Sequence, residues 1–386
     1  MTHRFARLAV AAAGGLLLAL VGAPPALADS VRDRQWYLGA LHVTAAHKIS
    51  QGEGVTVALI DTGVRADHQD LIGNVLPGSD FRGVGTRGWV DAGGHGTAMA
   101  GLIAGHGHGA GRADGVLGIA PKAKVLPLRA LNDQDVPKDK EPDAIAEAIR
   151  QHADVISMSL GTNPTDRLQR AIRQAIDADI VIVASSGNRP EDVFLQYPAK
   201  YPGVVAVGAT GRDDKVAPVT TTGPEMALVA PGVDTVTTAR TGGYTEGTGT
   251  SGATAIVAGA AALIRAKYPD LSAAEVVHRL TATATDKGAP GRDSDYGYGT
   301  LDLVAALTAD VPASAGQPSA APSGSAASLP DPTTNADTAA APSTRKAATV
   351  NWTAIGVVVA VLLIVIGLIV GLPTWLILRS RRHRKP

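Results

Sequence analysis

Val55-Thr56-Val57-Ala58-Leu59-Ile60-Asp61-Thr62-Gly63 is a nearly continuous apolar run that ends in an acid and a turn. A strand without polar alternation is covered on both faces, as in a parallel sheet packed between helices. Asp61 then stands at the carboxyl end of such a strand, where α/β sheets place ligands and chemistry. Asp-Thr-Gly is equally an ordinary turn, so Asp61 alone decides nothing.

The same grammar continues along the chain. Residues 124–131, 155–161, 180–184, 204–209 and 227–230 read as further strands. Residues 143–152 read as a helix with Ala144, Ile145, Ala148 and Ile149 on one face, and residues 165–178 and 272–284 as two more. Strands alternating with helices predict an α/β fold, a mostly parallel sheet covered on both faces.

Three small-residue segments interrupt this pattern. Gly249-Thr250-Ser251-Gly252-Ala253-Thr254 runs into an Ala-rich stretch over residues 255–264, which places Ser251 at or near a helix N-terminus. Free N–H groups and the helix dipole there favour negative charge, as an acyl-transfer oxyanion requires. Taken alone, Ser251 is better read as an N-cap, the commoner role of serine at that position. Gly93-Gly94-His95-Gly96-Thr97 opens a second small-residue helix, and Ser185-Ser186-Gly187-Asn188 follows the strand at 180–184. Asn188 offers a side-chain amide that can donate to an oxyanion, or an ordinary turn asparagine. Gly105-His106-Gly107-His108-Gly109 reads as a glycine loop. Its two histidines have no third ligand nearby in sequence and do not assemble a metal site.

Composition limits the alternatives. The 386 residues carry 35 Lys+Arg and 35 Asp+Glu, a formal net charge of zero, so no basic footprint points to nucleic acid. Cysteine is absent, which excludes disulfides, thiolate metal sites and cysteine nucleophiles.

The ends carry the organisation. Residues 1–28 have the layout of a secretory signal peptide: His3, Arg4 and Arg7, an apolar run over 8–21, and Ala26-Leu27-Ala28. Residues 29–53 are too short to fold independently and are expected to pack along the main domain at 54–309. Residues 310–350, rich in Pro, Ala and Ser, read as an extended linker. Within residues 351–378, the span 355–378 has no charged residue and is long enough to cross a bilayer of roughly 30 Å. Trp352 and Trp375 stand near its ends, and a basic tail over 379–386 follows. The positive-inside tendency predicts a single-pass cell-membrane protein with its main domain outside and its tail in the cytoplasm.

Asp61, His95 and Ser251 occur in one of the known chain orders of a catalytic triad, with Asn188 between the last two. Asp61-Thr62-Gly63, Gly94-His95-Gly96-Thr97, Ser186-Gly187-Asn188 and Gly249-Thr250-Ser251 together resemble the subtilisin-like serine proteases (subtilases, peptidase S8) over residues 45–308. The whole layout, from leader to basic tail, resembles the mycosins, membrane-anchored subtilases of type VII secretion. That likeness implies a three-layer α/β/α subtilisin-like fold with a C-terminal transmembrane helix. Ser251 would be the nucleophile, His95 the base, Asp61 its orienting acid and Asn188 an oxyanion donor. Ser159, Leu160, Gly161, Ala184, Ser185 and Ser186 would form the substrate edges. Protein or peptide substrates, type VII secretion membrane components and the lipid bilayer are the implied partners. No cofactor is expected; structural calcium occurs in the family, but spacing assembles no such site here.

The sequence also departs from the family. Gly252 stands where methionine is frequent, Ala255 and Ile256 where Pro and His are common, and Ala98-Met99 where His-Val is usual. These changes keep open a mainly structural subtilase that stabilises a secretion complex. A lipase with a Gly-x-Ser-x-Gly elbow is less apt, because Ala253 takes the place of the last glycine. No acid is evidently placed to select Lys or Arg beside the scissile bond, which leans the preference towards small or apolar residues.

Overall fold

A computed structural model describes residues 30–83, 85–131 and 139–312. The leader, the linker after residue 312, the expected membrane span and most of the loop at 132–142 lie outside these residues. Among the described residues no helix is long and apolar enough to cross a membrane.

The central sheet has seven strands, all parallel. They are β1 (Thr56–Asp61), β2 (Ser79–Asp80), β5 (Lys124–Arg129), β6 (Val155–Met158), β7 (Val181–Ser185), β8 (Val204–Thr210) and β9 (Met226–Pro231), in the order β2-β5-β1-β6-β7-β8-β9. Alternate side chains of each strand face opposite layers. Val57, Leu59, Val183 and Val207 enter one core, beneath the helices His95–Ala104 and Thr250–Lys267. Ala58, Ile60, Ile182 and Ala206 enter the other, beneath Glu141–Arg150 and Asp166–Asp177. The expected α/β/α layering is therefore present.

Helix ends follow their capping residues. Thr165 caps Asp166–Asp177 through Leu168 N, and Ser272 forms a capping box with Glu275 at the start of Ala273–Ala282. Glu141–Arg150 begins two residues earlier than the apolar face predicts, with Pro142 in its first turn.

The glycine loop at 105–109 is a correction. His106–His108 is a short strand, β3, paired antiparallel with β4 (Asp114–Leu117). His106 is buried, its Nε2 donating to Ile72 O at 2.9 Å, and His108 Nδ1 lies 2.6 Å from Asp70 Oδ1. These partners fix a backbone that glycines at positive φ, Gly107 and Gly109, allow to turn. A second antiparallel pair, β10 (Thr235–Thr238) with β11 (Tyr244–Gly247), was not evident from the sequence, being short and mostly threonine and polar.

Residues 30–50 form three short helices against this body. Tyr37, Leu41, Val43 and Ala46 are buried in the main core. Trp36 Nε1 donates to Val233 O at 2.9 Å, and Arg32 Nε to Gly115 O at 2.9 Å. Burying one large apolar side chain is worth about 1.5–3 kcal/mol, so the segment adheres through its own core residues and not through its exposed ion pairs.

Candidate active site

The chemistry collects at the carboxyl ends of three adjacent strands. β1 ends at Asp61, β6 leads into Ser159-Leu160-Gly161, and β7 leads through Ser186 and Gly187 to Asn188. Two helices packed on one face deliver the remaining groups: His95 is the first residue of His95–Ala104, and Ser251 the second of Thr250–Lys267. The first helix sits close because it is nearly side-chain free where it touches its neighbours. A Cβ on Gly96 would collide with Gly63 O, and one on Gly101 with the hydroxyls of Thr237 and Thr238. Those hydroxyls donate to Ala98 O and Thr97 O, both at 2.6 Å, and so bind β10 to the helix.

His95 Nδ1 lies 2.9 and 3.0 Å from the two oxygens of Asp61. Asp61 is 1% exposed and His95 22%. Nδ1–H facing a buried carboxylate fixes the tautomer with Nε2 as the basic nitrogen. Thr62 N donates to Asp61 Oδ1 at 2.7 Å, which holds the carboxylate in turn.

A groove of about 520 Å³ is lined by His95, Ser159, Leu160, Gly161, Ser185, Asn188, Ser251 and Gly252. Ser159 Oγ donates to Ser251 O at 3.0 Å and ties the helix carrying Ser251 to the end of β6. Ala184 and Ser186 do not line the groove. Alternation on β7 sends Ala184 into the core beneath Asp166–Asp177, and Ser186 is fully buried with its N donating to Val207 O. The groove also holds two acids that sequence reading did not place there, Asp192 and Glu246. Each has a partner: Asp192 Oδ2 accepts from Asn188 N at 2.7 Å, and Glu246 pairs with Arg34 at 2.6 Å.

Gly252 is tightly packed: a Cβ there would stand 3.0 Å from Thr235 Oγ1 and 3.5 Å from Leu102 Cδ1. Asp91 also escaped notice in the sequence; the signal was an acid four residues before His95, just upstream of a helix start. Among the described residues no group of three His, Cys, Asp or Glu could hold a metal ion.

A buried carboxylate on an imidazole, with a serine hydroxyl sharing the groove, defines the class of serine hydrolases. The chain belongs to the subtilase family, whose model (Peptidase S8, subtilase family) matches residues 52–299, and it is a serine endopeptidase by that membership. It is 38% identical over 262 residues to subtilisin DY of Bacillus licheniformis, covering 66% of this chain and 92% of that protein. Among solved structures it is similar to the MycP3 protease from the type VII (ESX-3) secretion system, with TM-score 0.63 and 34% identity. That match covers 71% of this chain and 88% of the other. MycP1 from Mycobacterium smegmatis matches with TM-score 0.64 and 29% identity, covering 76% of this chain and 88% of that one.

Proposed function

We propose that Ser251, His95 and Asp61 hydrolyse peptide bonds through an acyl-enzyme. The contact of His95 Nδ1 with both Asp61 oxygens, behind the groove that holds Ser251, is the observation that carries this reading. Ser251 Oγ attacks the scissile carbonyl carbon while its proton passes to His95 Nε2. The tetrahedral intermediate collapses, its C–N bond breaks, and the leaving amine takes that proton. Water then repeats the sequence on the ester and frees Ser251. Asp61 holds the imidazole and stabilises its charged form. Asn188 Nδ2 and Ser251 N–H are assigned to the oxyanion. Ser159-Leu160-Gly161 supplies a backbone edge for an extended peptide.

The test is labelling by a serine-directed fluorophosphonate. Wild type is expected to take the label, and Ser251→Ala to fold equally well and take none. Equal labelling of both proteins refutes the assignment.

The wider reading is a mycosin: a secreted protease domain, residues 54–309, tethered by a linker and the span within 351–378, with its tail in the cytoplasm, processing type VII secretion substrates beside the membrane complex. It is supported by the likeness to MycP1 and MycP3 and by the charge-free span before the basic tail. The departures over residues 252–256 support a second role as a structural component of that complex. Secretion in a Ser251→Ala strain beside a deletion strain separates the two roles. If Ser251→Ala secretes like wild type while the deletion does not, the structural role is the decisive one.

A further inference from the structure

We propose that Asp91 is a positioning residue of the active site, the clamp that fixes the helix carrying His95 to the strand end carrying Asp61. This rests on the reading of Asp61 and His95 as acid and base.

Asp91 is 8% exposed, in the loop before that helix. The helix has a problem at its start. Its N-cap is Gly94, at φ 97°, which has no side chain to satisfy the first N–H groups. Asp91 takes over that role from three residues upstream. Oδ1 accepts from Gly94 N at 2.6 Å and Oδ2 from Thr97 N at 2.8 Å. A carboxylate there also opposes the positive end of the helix dipole.

The same carboxylate reaches sideways. Oδ2 accepts from Thr97 Oγ1 at 2.5 Å, and Oδ1 from Thr62 Oγ1 at 2.8 Å. Thr62 follows Asp61 directly, and its hydroxyl also accepts from Gly96 N at 3.0 Å. Thr97 Oγ1 in turn accepts from Arg65 N at 2.9 Å, just past β1. Two threonines, one beside each member of the Asp61–His95 pair, are therefore held by one buried carboxylate. An ordinary helix cap needs only the backbone bonds. The two hydroxyl bonds set the distance between strand end and helix start, and with it the seating of Nδ1 on Asp61.

Asp91→Asn keeps the shape but puts two N–H donors where only donors face it, so at least one bond becomes a donor–donor clash. Misplacing a catalytic group by about 1 Å costs roughly 100-fold. In the full-length protein, fluorophosphonate labelling of Asp91→Asn is expected to lose about 10- to 100-fold in kinact, with KI within about 2-fold.

If Asp91→Asn does not fold, Thr62→Val removes the hydroxyl's bonds to Asp91 and Gly96 N, leaves those of Asp91 to Gly94 N and Thr97 in place, and is expected to lower kinact about 10-fold at constant KI. Unchanged kinact in whichever variant folds overturns the proposal. So does a loss of labelling that merely tracks the folded fraction, with kinact per folded molecule unchanged. A wild-type protein that takes no label at Ser251 overturns the triad and this inference with it; a labelled wild type beside an unaffected Asp91→Asn overturns the inference alone.

Discussion

The amide oxygen of Asn188 accepts twice from Thr250, from N at 2.9 Å and from Oγ1 at 3.1 Å. The backbone N–H of Thr250 can only donate, so the amide atom it meets is the oxygen. Nδ2 is then the donor end of an amide whose residue lines the same groove as Ser251. Asn188→Ala is expected to lower kcat on peptide substrates by about 10²–10³-fold with KM nearly unchanged, a magnitude measured in subtilisin itself and carried over to this relative. Thr250→Val removes one of the two fixing bonds and should cost less, about 10-fold, as expected for a misdirected group. Steady-state kinetics on the two variants check both. A Thr250→Val loss larger than that of Asn188→Ala would contradict the assignment.

The apolar strands announced the sheet because a doubly covered strand has almost no polar freedom, and β1, β6, β7, β8 and β9 all read that way. His95 and Ser251 were legible as glycine-flanked helix starts. Asp91 was not, because its four bonds reach Thr62, Gly94 and Thr97 through a loop whose shape no periodicity encodes. Ser186 lies two residues from Asn188 yet is fully buried and does not line the groove, a placement that adjacency in sequence does not convey. Asp192 was hidden because the loop returning it to Asn188 N closes in space, not in a sequence pattern.

Gly252, the position that departs most visibly from the family, is explained by Thr235. Thr235 Oγ1 donates to Gly247 O at 3.1 Å and occupies the space that a side chain at 252 needs. Gly252→Ala is expected to forfeit most of the roughly 1 kcal/mol that alanine gains over glycine inside a helix, because Thr235 Oγ1 must yield by a few tenths of an ångström. Thr235→Ser retains the hydroxyl and removes the methyl group; Thr235→Ala removes the hydroxyl as well. Combined with Gly252→Ala, Thr235→Ala should recover more of the lost stability than Thr235→Ser, because the close atom is Oγ1. Chemical denaturation of the set measures the coupling, and simple additivity would reject this packing account.

The segment at residues 30–50 is expected to be locked to the protease domain only between two pH limits. Burial pushes the Tyr37 hydroxyl well above its ordinary value of 10.0, and pushes His47 below its ordinary 6.5. Above pH 10 an unfolded Tyr37 sheds a proton that the folded one keeps, so stability falls as pH rises, by about 1.4 kcal/mol per unit. Below pH 6.5 an unfolded His47 gains a proton that the folded one resists, so stability falls again as pH drops towards the folded value. Neutral His47 donates Nε2–H to Ile119 O at 2.9 Å, and Tyr37 OH donates to Val236 O at 3.0 Å. Tyr37→Phe should therefore cost about 1–2 kcal/mol at pH 7, while making stability less dependent on pH between 10 and 11. His47→Gln should flatten the acid side and leave the alkaline side alone. Melting temperatures of the three proteins at pH 5, 7, 10 and 11 decide it. An alkaline decline as steep in Tyr37→Phe as in wild type would place the sensitive group elsewhere.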